Sequence, residues 1–324
     1  MCTCIDFKAK NYYFGRNLDL EYRFGERVVV TPRNYHFDLK NEESFDTKYA
    51  FIGMANVINN YPLYAEASNE KGLSIAGLNF PGNAKYFEPI EGKVNIAPFE
   101  LTPWLLGNFT SVKEFKKVAK NLNLTNIMFN DSLPAGEMHW MISDKNESIV
   151  LEQTKDGMHV YENPYGVLTN NPEFYYHMMN MNNYMNLSPR YAENRVSEKL
   201  NLAPYAQGMG AIGMPGDVSP ASRFVRATFN KFNAVTCDKE EDNVAQFFHI
   251  LDSVAFIKGT VITKENNYDK TTYSCCINTN KGIYYYKTYY NNQINAVKLT
   301  NENMNAKELY IHEILEDQNI NFVN

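Results

Sequence analysis

The sequence predicts an α+β protein built on two mainly antiparallel sheets packed together, with helices on the outside. Three observations carry this expectation. The β-prone runs come in blocks instead of alternating one by one with helices, which argues against a parallel βαβ sheet. Two pairs of runs are joined by short turn signals, Asn69-Glu70-Lys71-Gly72 and Asn280-Lys281-Gly282, as hairpins require. Helical periodicity is confined to a few stretches, within residues 98–122 and 222–257.

The runs NYYFGRNLDL, RVVVTPRN, YAFIGMA and LYAEASNEKGLSIAGLNF fill most of the first eighty residues and read as strands. PFELTPWLLGNF and SVKEFKKVAKNL follow as a helical block. Ser111 and Glu114 have capping-box spacing, and Val112, Phe115, Val118 and Ala119 form one apolar stripe. Residues 138–170 return to strands (MHWMISD, SIVLEQT, MHVYEN, YGVLT), and SRFVRATFNKF and NVAQFFHILDSVAFI read as two further helices. TYSCCINTNKGIYYYKTYY closes the pattern as a hairpin, with the neighbours Cys275 and Cys276 on opposite faces of one strand.

With 324 residues, 44% of them hydrophobic, the chain can bury a large layered core. No repeat, low-complexity tract or Gly/Ser linker divides it, so residues 1–324 are read as a single domain. Charged residues are dispersed and the net charge is −6, which excludes a disordered chain and argues against nucleic-acid or anionic-membrane partners. Asp6, Lys8 and Lys10 interrupt what a secretory signal would need as an apolar core, and no apolar run is long enough to span a membrane. Five cysteines, two of them adjacent, make a poor disulfide framework. A reduced, cytoplasmic protein is the expectation.

Several patterns are set aside. GMGAIG at 208–213 matches G-x-G-x-x-G but lacks the preceding strand and following helix of a dinucleotide site, so it reads as a glycine-rich loop. The six histidines show no metal-ligand spacing, and His249 in FFHIL reads as a packed helix residue. There is no G-x-S-x-G elbow, and Cys2-Thr3-Cys4 lacks the spacing of a redox or metal pair. No metal and no cofactor are expected.

What remains is the beginning, MCTC. Removal of Met1 would leave Cys2 with a thiol and a free α-amine on one residue, a nucleophile carrying its own base. An α-amine has an ordinary pKa of about 7.7–8.0, and a thiol yields its proton far more readily than a hydroxyl. A retained Met1 would block that amine. Such a site also needs a carboxylate for the amine, a cation for the thiolate and donors for an oxyanion. Arg16 and Asp19 in GRNLDL offer the first two, although on a regular strand they face opposite ways and a bend is needed for both to reach Cys2. Spacing alone reads them equally as a surface pair. Asn79 in GLNFPG and Asn170 in LTNNP suit turn chemistry as well as an oxyanion hole. Arg223 in PASRF sits where a helix begins and would serve there as a solvated residue too.

MCT, FGRNLD, VTPRN, NEKGL followed by AGLNFPG, MHWMISD, VLTNNP, GMPGD with SPASRF, and KGIYYYKTY with NNQINA run in order through nearly the whole chain. Together they resemble the choloylglycine hydrolase family, with bacterial bile salt hydrolases as the nearer branch and penicillin V acylases as relatives. The resemblance implies an N-terminal-nucleophile hydrolase fold, an αββα sandwich of two antiparallel sheets between helical layers. It also implies loss of Met1, amide hydrolysis without metal or cofactor, and a homo-oligomer, commonly a tetramer. Its catalytic residues fall on Cys2, Arg16, Asp19, Asn79, Asn170 and Arg223. Its pocket positions fall on Leu18, Phe24, Ile58, Phe129, Leu133 and Met138, all apolar here. The implied substrates are glycine- or taurine-conjugated bile salts. The asparagine at 79 favours them over penicillin V, since related penicillin V acylases tend to carry tyrosine there. A non-catalytic relative that keeps the fold and the apolar pocket is the remaining alternative.

Overall fold

Every strand block of the sequence enters one of two large sheets, and all neighbours within each sheet run antiparallel. The computed structural model describes residues Met1–Asn324. The first sheet has seven strands, in the order Val167–Leu168, Cys2–Lys8, Tyr12–Leu20, Tyr268–Asn278, Ile283–Thr288 and Asn295–Lys298, with Val261–Ile262 pairing Tyr268–Asn278. The second has eight, in the order Gly157–Glu162, Ser148–Thr154, Met138–Ser143, Ser74–Asn79, Tyr61–Asn69, Phe51–Ile58, Arg27–Thr31 and Tyr310–His312. Both expected hairpins are present: Tyr61–Asn69 pairs with Ser74–Asn79, and Tyr268–Asn278 with Ile283–Thr288. Gly72 and Gly282 take positive φ in their turns, where a side chain would be strained.

Helices cover the outer faces. Pro220–Asn233 and Glu240–Asp252 pack on the first sheet, and Leu101–Asn108 and Val112–Ala119 lie against the second. The layers are therefore helix, sheet, sheet, helix, as αββα requires. Ser111 accepts a hydrogen bond from the Glu114 amide (3.2 Å), while the Glu114 carboxylate turns to Thr110. That is half of the expected capping box. No helix is long and apolar enough to cross a membrane.

Three local expectations change. The run RVVVTPRN leaves its strand after Thr31, because Pro32 has no amide hydrogen to donate. The helix expected to reach residue 257 stops at Asp252; Phe256 instead exchanges hydrogen bonds with Thr271 at the sheet (2.8 and 3.2 Å). His249 is exposed, since Val244, Phe247, Phe248 and Leu251 turn the opposite side of that helix inward. The GMGAIG run forms a short 3-10 turn at Met209–Ala211 and follows no strand. Helix Phe174–Met181 was not anticipated.

Candidate active site

Cys2 begins a strand that runs antiparallel to Tyr12–Leu20, with Cys2 opposite Leu18 and Cys4 opposite Arg16. Strand alternation places these four on the face toward the second sheet. The Arg16 guanidinium crosses the interface and donates to the carbonyls of Gly77 (2.5 Å) and Ala65 (3.2 Å). Its Nε lies 3.8 Å from Glu66 Oε2, and that carboxylate also accepts from the Tyr273 and Tyr284 hydroxyls (2.8 and 2.6 Å). Burial works against the Arg16 charge, but the facing Cys2, Tyr273 and Glu66 leave its pKa above the ordinary value. Arg16 stays a cation.

Asp19 lies on the other face, toward the helices. The alternation between Arg16 and Asp19 is kept, so the two approach the start of the Cys2 strand from opposite sides of the sheet, without a bend in their own strand. The irregularity sits on the facing strand, where the register shifts between Thr271 and Tyr273 opposite Asp19 and Leu18. Thr271 Oγ1 donates to Asp19 Oδ1 (2.6 Å), while Oδ2 is buried with no partner. Burial raises the Asp19 pKa, opposed by Arg223, the terminal amine and Thr271. With Met1 in place, the amine donates to the Asp19 carbonyl, and Asp19 N donates to the Met1 carbonyl (2.8 Å).

Asn170 and Arg223 fix the Cys2 backbone. Asn170 Oδ1 accepts from Cys2 N (2.7 Å) and from Arg223 Nη2 (2.8 Å), and Asn170 Nδ2 donates to the Asn79 carbonyl (2.7 Å). Arg223 Nη1 donates to the Cys2 carbonyl and to Thr3 Oγ1 (2.7 Å), and Nε to the Val218 carbonyl (2.9 Å). The guanidinium lies over the Phe256 ring at 5.2 Å. Arg223 is no solvated helix residue. It is fully buried, and burial lowers its pKa against the pull of Asp19 and Cys2.

The Cys2 end opens on a cavity of about 280 Å³ with 13 hydrophobic residues among its 20 lining residues. Cys2, Arg16 and Asn79 form its polar end. The Asn79 carboxamide makes no hydrogen bond within the chain and is exposed. Leu18, Phe24, Phe129, Leu133 and Met138 line the same cavity. Ile58 does not. It ends its strand opposite Tyr61, beside the Asn59-Asn60 turn, whereas the lining residues of the next strand are Leu63, Tyr64 and Ala65, farther from that turn. Sequence reasoning missed Leu63, Tyr64, Phe99, Thr102 and Trp140. Alternation along 61–65 and 138–142 marks two faces there, but which face meets the cavity depends on sheet partners far away in sequence. Phe129 is also packed, with ring centroids 5.4 Å from Tyr61 and 5.2 Å from Phe99.

Chemically, the arrangement sets one thiol at the end of an apolar cavity, beside a buried cation and two asparagines, with a buried carboxylate behind the strand. That combination suits acyl transfer from an amide with an apolar acyl part.

The family model for linear amide C–N hydrolases, choloylglycine hydrolase family, matches residues 2–312. A bile salt hydrolase/transferase of Lactiplantibacillus plantarum is 48% identical over 324 residues, covering all of both chains. The solved structure of a mutant conjugated bile acid hydrolase from Clostridium perfringens superposes with a TM-score of 0.93 at 40% identity, again over all of both chains. A penicillin V acylase from Agrobacterium tumefaciens, 15% identical, shares the fold over 99% of this chain and all of its own, with a TM-score of 0.77. The chain belongs to the choloylglycine hydrolase family of linear amide C–N hydrolases.

Proposed function

We propose that the chain hydrolyses the amide bond of glycine- or taurine-conjugated bile salts, with Cys2 as nucleophile once Met1 is removed. The observation that carries this reading is the apolar cavity that ends at Cys2, Arg16 and Asn79. A steroid nucleus offers much apolar surface and few polar handles, which is what such a lining takes up.

In the proposed mechanism the freed Cys2 amine accepts the thiol proton and the sulfur attacks the amide carbonyl, forming a C–S bond. The orphaned Asp19 Oδ2 supplies the buried carboxylate for the resulting ammonium. The Asn79 and Asn170 carboxamides donate to the oxyanion of the tetrahedral intermediate, a service worth about 2.7–4 kcal/mol per donor. Arg16 favours the thiolate, and Arg223 holds the Cys2 backbone through its carbonyl. The C–N bond breaks as the ammonium returns its proton to the departing glycine or taurine nitrogen. Water then attacks the thioester carbonyl, losing its proton to the amine; the C–S bond breaks as the ammonium returns that proton to the Cys2 sulfur, and the free bile acid leaves.

The residues 1–324 act as one domain under this reading, in the cytoplasm, as the homo-oligomer, a tetramer, that the family resemblance implies. Size-exclusion chromatography coupled to light scattering checks the last point. Incubating the purified protein with glycocholate, taurocholate and penicillin V, and measuring the product of each, tests the substrate. Release of glycine or taurine well above turnover of penicillin V supports bile salts; the reverse order assigns the site to penicillin V.

A further inference from the structure

Two histidines have no part in the chemistry above, yet both are fully buried beside Asn170. His139 Nε2 donates to the Thr169 carbonyl (2.9 Å), and its Nδ1 lies 2.8 Å from Glu152 Oε1. Glu152 also accepts from the amide of Phe174, at the start of the next helix (3.0 Å). The His139 ring stacks on Phe80, the neighbour of Asn79, with centroids 4.3 Å apart and planes 6° from parallel. His139 therefore touches the segment that carries Asn79 and the segment that carries Asn170. His177 Nε2 donates to the Asn170 carbonyl itself (2.9 Å). Its ring stacks on Phe224, the neighbour of Arg223, at 5.0 Å, and its Nδ1 is buried without a partner. Burial lowers its pKa to about 4, so the ring is neutral and Nε2 carries the hydrogen.

The geometry points to His139, with Glu152, and His177 as positioning residues that clamp the Thr169-Asn170 backbone and so hold the Asn170 carboxamide in place for the oxyanion. The physical reason lies in where Asn170 sits. It follows the two-residue strand Val167–Leu168 and precedes Pro172, so little ladder fixes it. Its carboxamide is bonded to Cys2 N, Arg223 and the Asn79 carbonyl, and the backbone carbonyls on either side of its α-carbon are each held by a buried imidazole. A short, weakly laddered segment acquires in this way the rigidity that an oxyanion donor needs.

This rests on the reading of Asn170 as an oxyanion donor, and the experiment separates the two. His177→Phe keeps the ring and its stacking but loses the donor, whereas His177→Gln keeps an amide nitrogen able to reach the Asn170 carbonyl. Glycocholate hydrolysis is measured for both, beside Asn170→Ala and thermal melts of each variant. Oxyanion contacts form in the transition state, so His177→Phe is expected to lower kcat roughly tenfold to a hundredfold, with KM little changed and His177→Gln recovering most of the loss. Glu152→Gln, which weakens the other arm, is expected to lower kcat in the same selective way. Equal losses for His177→Phe and His177→Gln that follow their melting temperatures would overturn the clamp and leave His177 as packing. So would unchanged kcat in His177→Phe while Asn170→Ala is inactive. Full activity of Asn170→Ala sinks the oxyanion reading itself.

Discussion

Two parts of the cavity wall are built differently. At the Cys2 end, Arg16, Asp19, Asn170 and Arg223 are all buried, and each is tied by hydrogen bonds to residues far away in sequence. Elsewhere in the lining, residues 126–136 supply Phe129, Leu133 and Pro134 from a segment with little regular structure, held by the bridge between Asn130 and Leu133 and by aromatic packing. Leu133 is 36% exposed. On the proposed reading, the difference teaches that reaction and selectivity are supported separately. Changes at Arg16, Asp19, Asn170 or Arg223 leave buried charges or donors unpaired, whereas changes at Phe129 or Leu133 remove apolar contact area.

The sharpest way to break this comparison is Cys2→Ser. A hydroxyl is much harder to deprotonate than a thiol, so glycocholate turnover should fall on the order of a thousandfold or more. Near-native turnover would remove the nucleophile from the account. Asn79→Ala comes next, with kcat lowered about 10²–10³-fold and KM little affected, since the lost donor acts on the oxyanion. A change confined to KM would make Asn79 a binding residue instead. Phe129→Ala is expected to act the other way, raising KM about tenfold if roughly 1.4 kcal/mol of contact is lost, with iodoacetamide labelling of Cys2 unchanged. Its packing on Tyr61 and Phe99 means that a thermal melt must accompany it, because loss of folded protein would move Phe129 from pocket to core.

The acid response is a smaller effect. The His177 pKa falls on folding from 6.5 to about 4, so folding keeps this ring neutral. Its contribution to stability is complete above the unfolded value and is lost as the pH falls toward about 4. Melting temperatures across that window should decline less steeply for His177→Gln than for the parent chain; identical slopes would deny that His177 is neutral and buried. Ile58→Ala should do least of all, leaving the KM for glycocholate unchanged because Ile58 lies off the cavity.

Much of this was legible in sequence, for physical reasons that also mark the limit. Alternation and turn residues revealed the strands and both hairpins, and Ser111 revealed a helix start, because these signals act over a few residues. Ordered motifs, not spacing, singled out Cys2, Arg16, Asp19, Asn79, Asn170 and Arg223 for the proposed polar site; spacing allowed Arg223 to be solvated, and it is buried. Leu63, Tyr64 and Trp140 were missed and Ile58 misplaced for one reason. Which residues of a strand reach a cavity depends on register between strands that are distant in the chain, and no local pattern encodes it. His139 and His177 gave no signal, since their partners are backbone carbonyls and, for His139, the Glu152 carboxylate on a neighbouring strand.

The central claim, that Cys2 with its own freed amine is the nucleophile, is tested most directly by mapping a substoichiometric iodoacetamide label against activity. Cys4, Cys275 and Cys276 are buried with thiol pKa values raised well above the ordinary one by burial, and Cys237 is half-buried and resolved by its own peptide. The predicted result is an N-terminal peptide that begins at Cys2 and carries the label, with glycine release from glycocholate falling in proportion to that label and glycocholate slowing it. Full turnover from chains that retain Met1, or loss of activity that follows a label on another cysteine, would contradict the account.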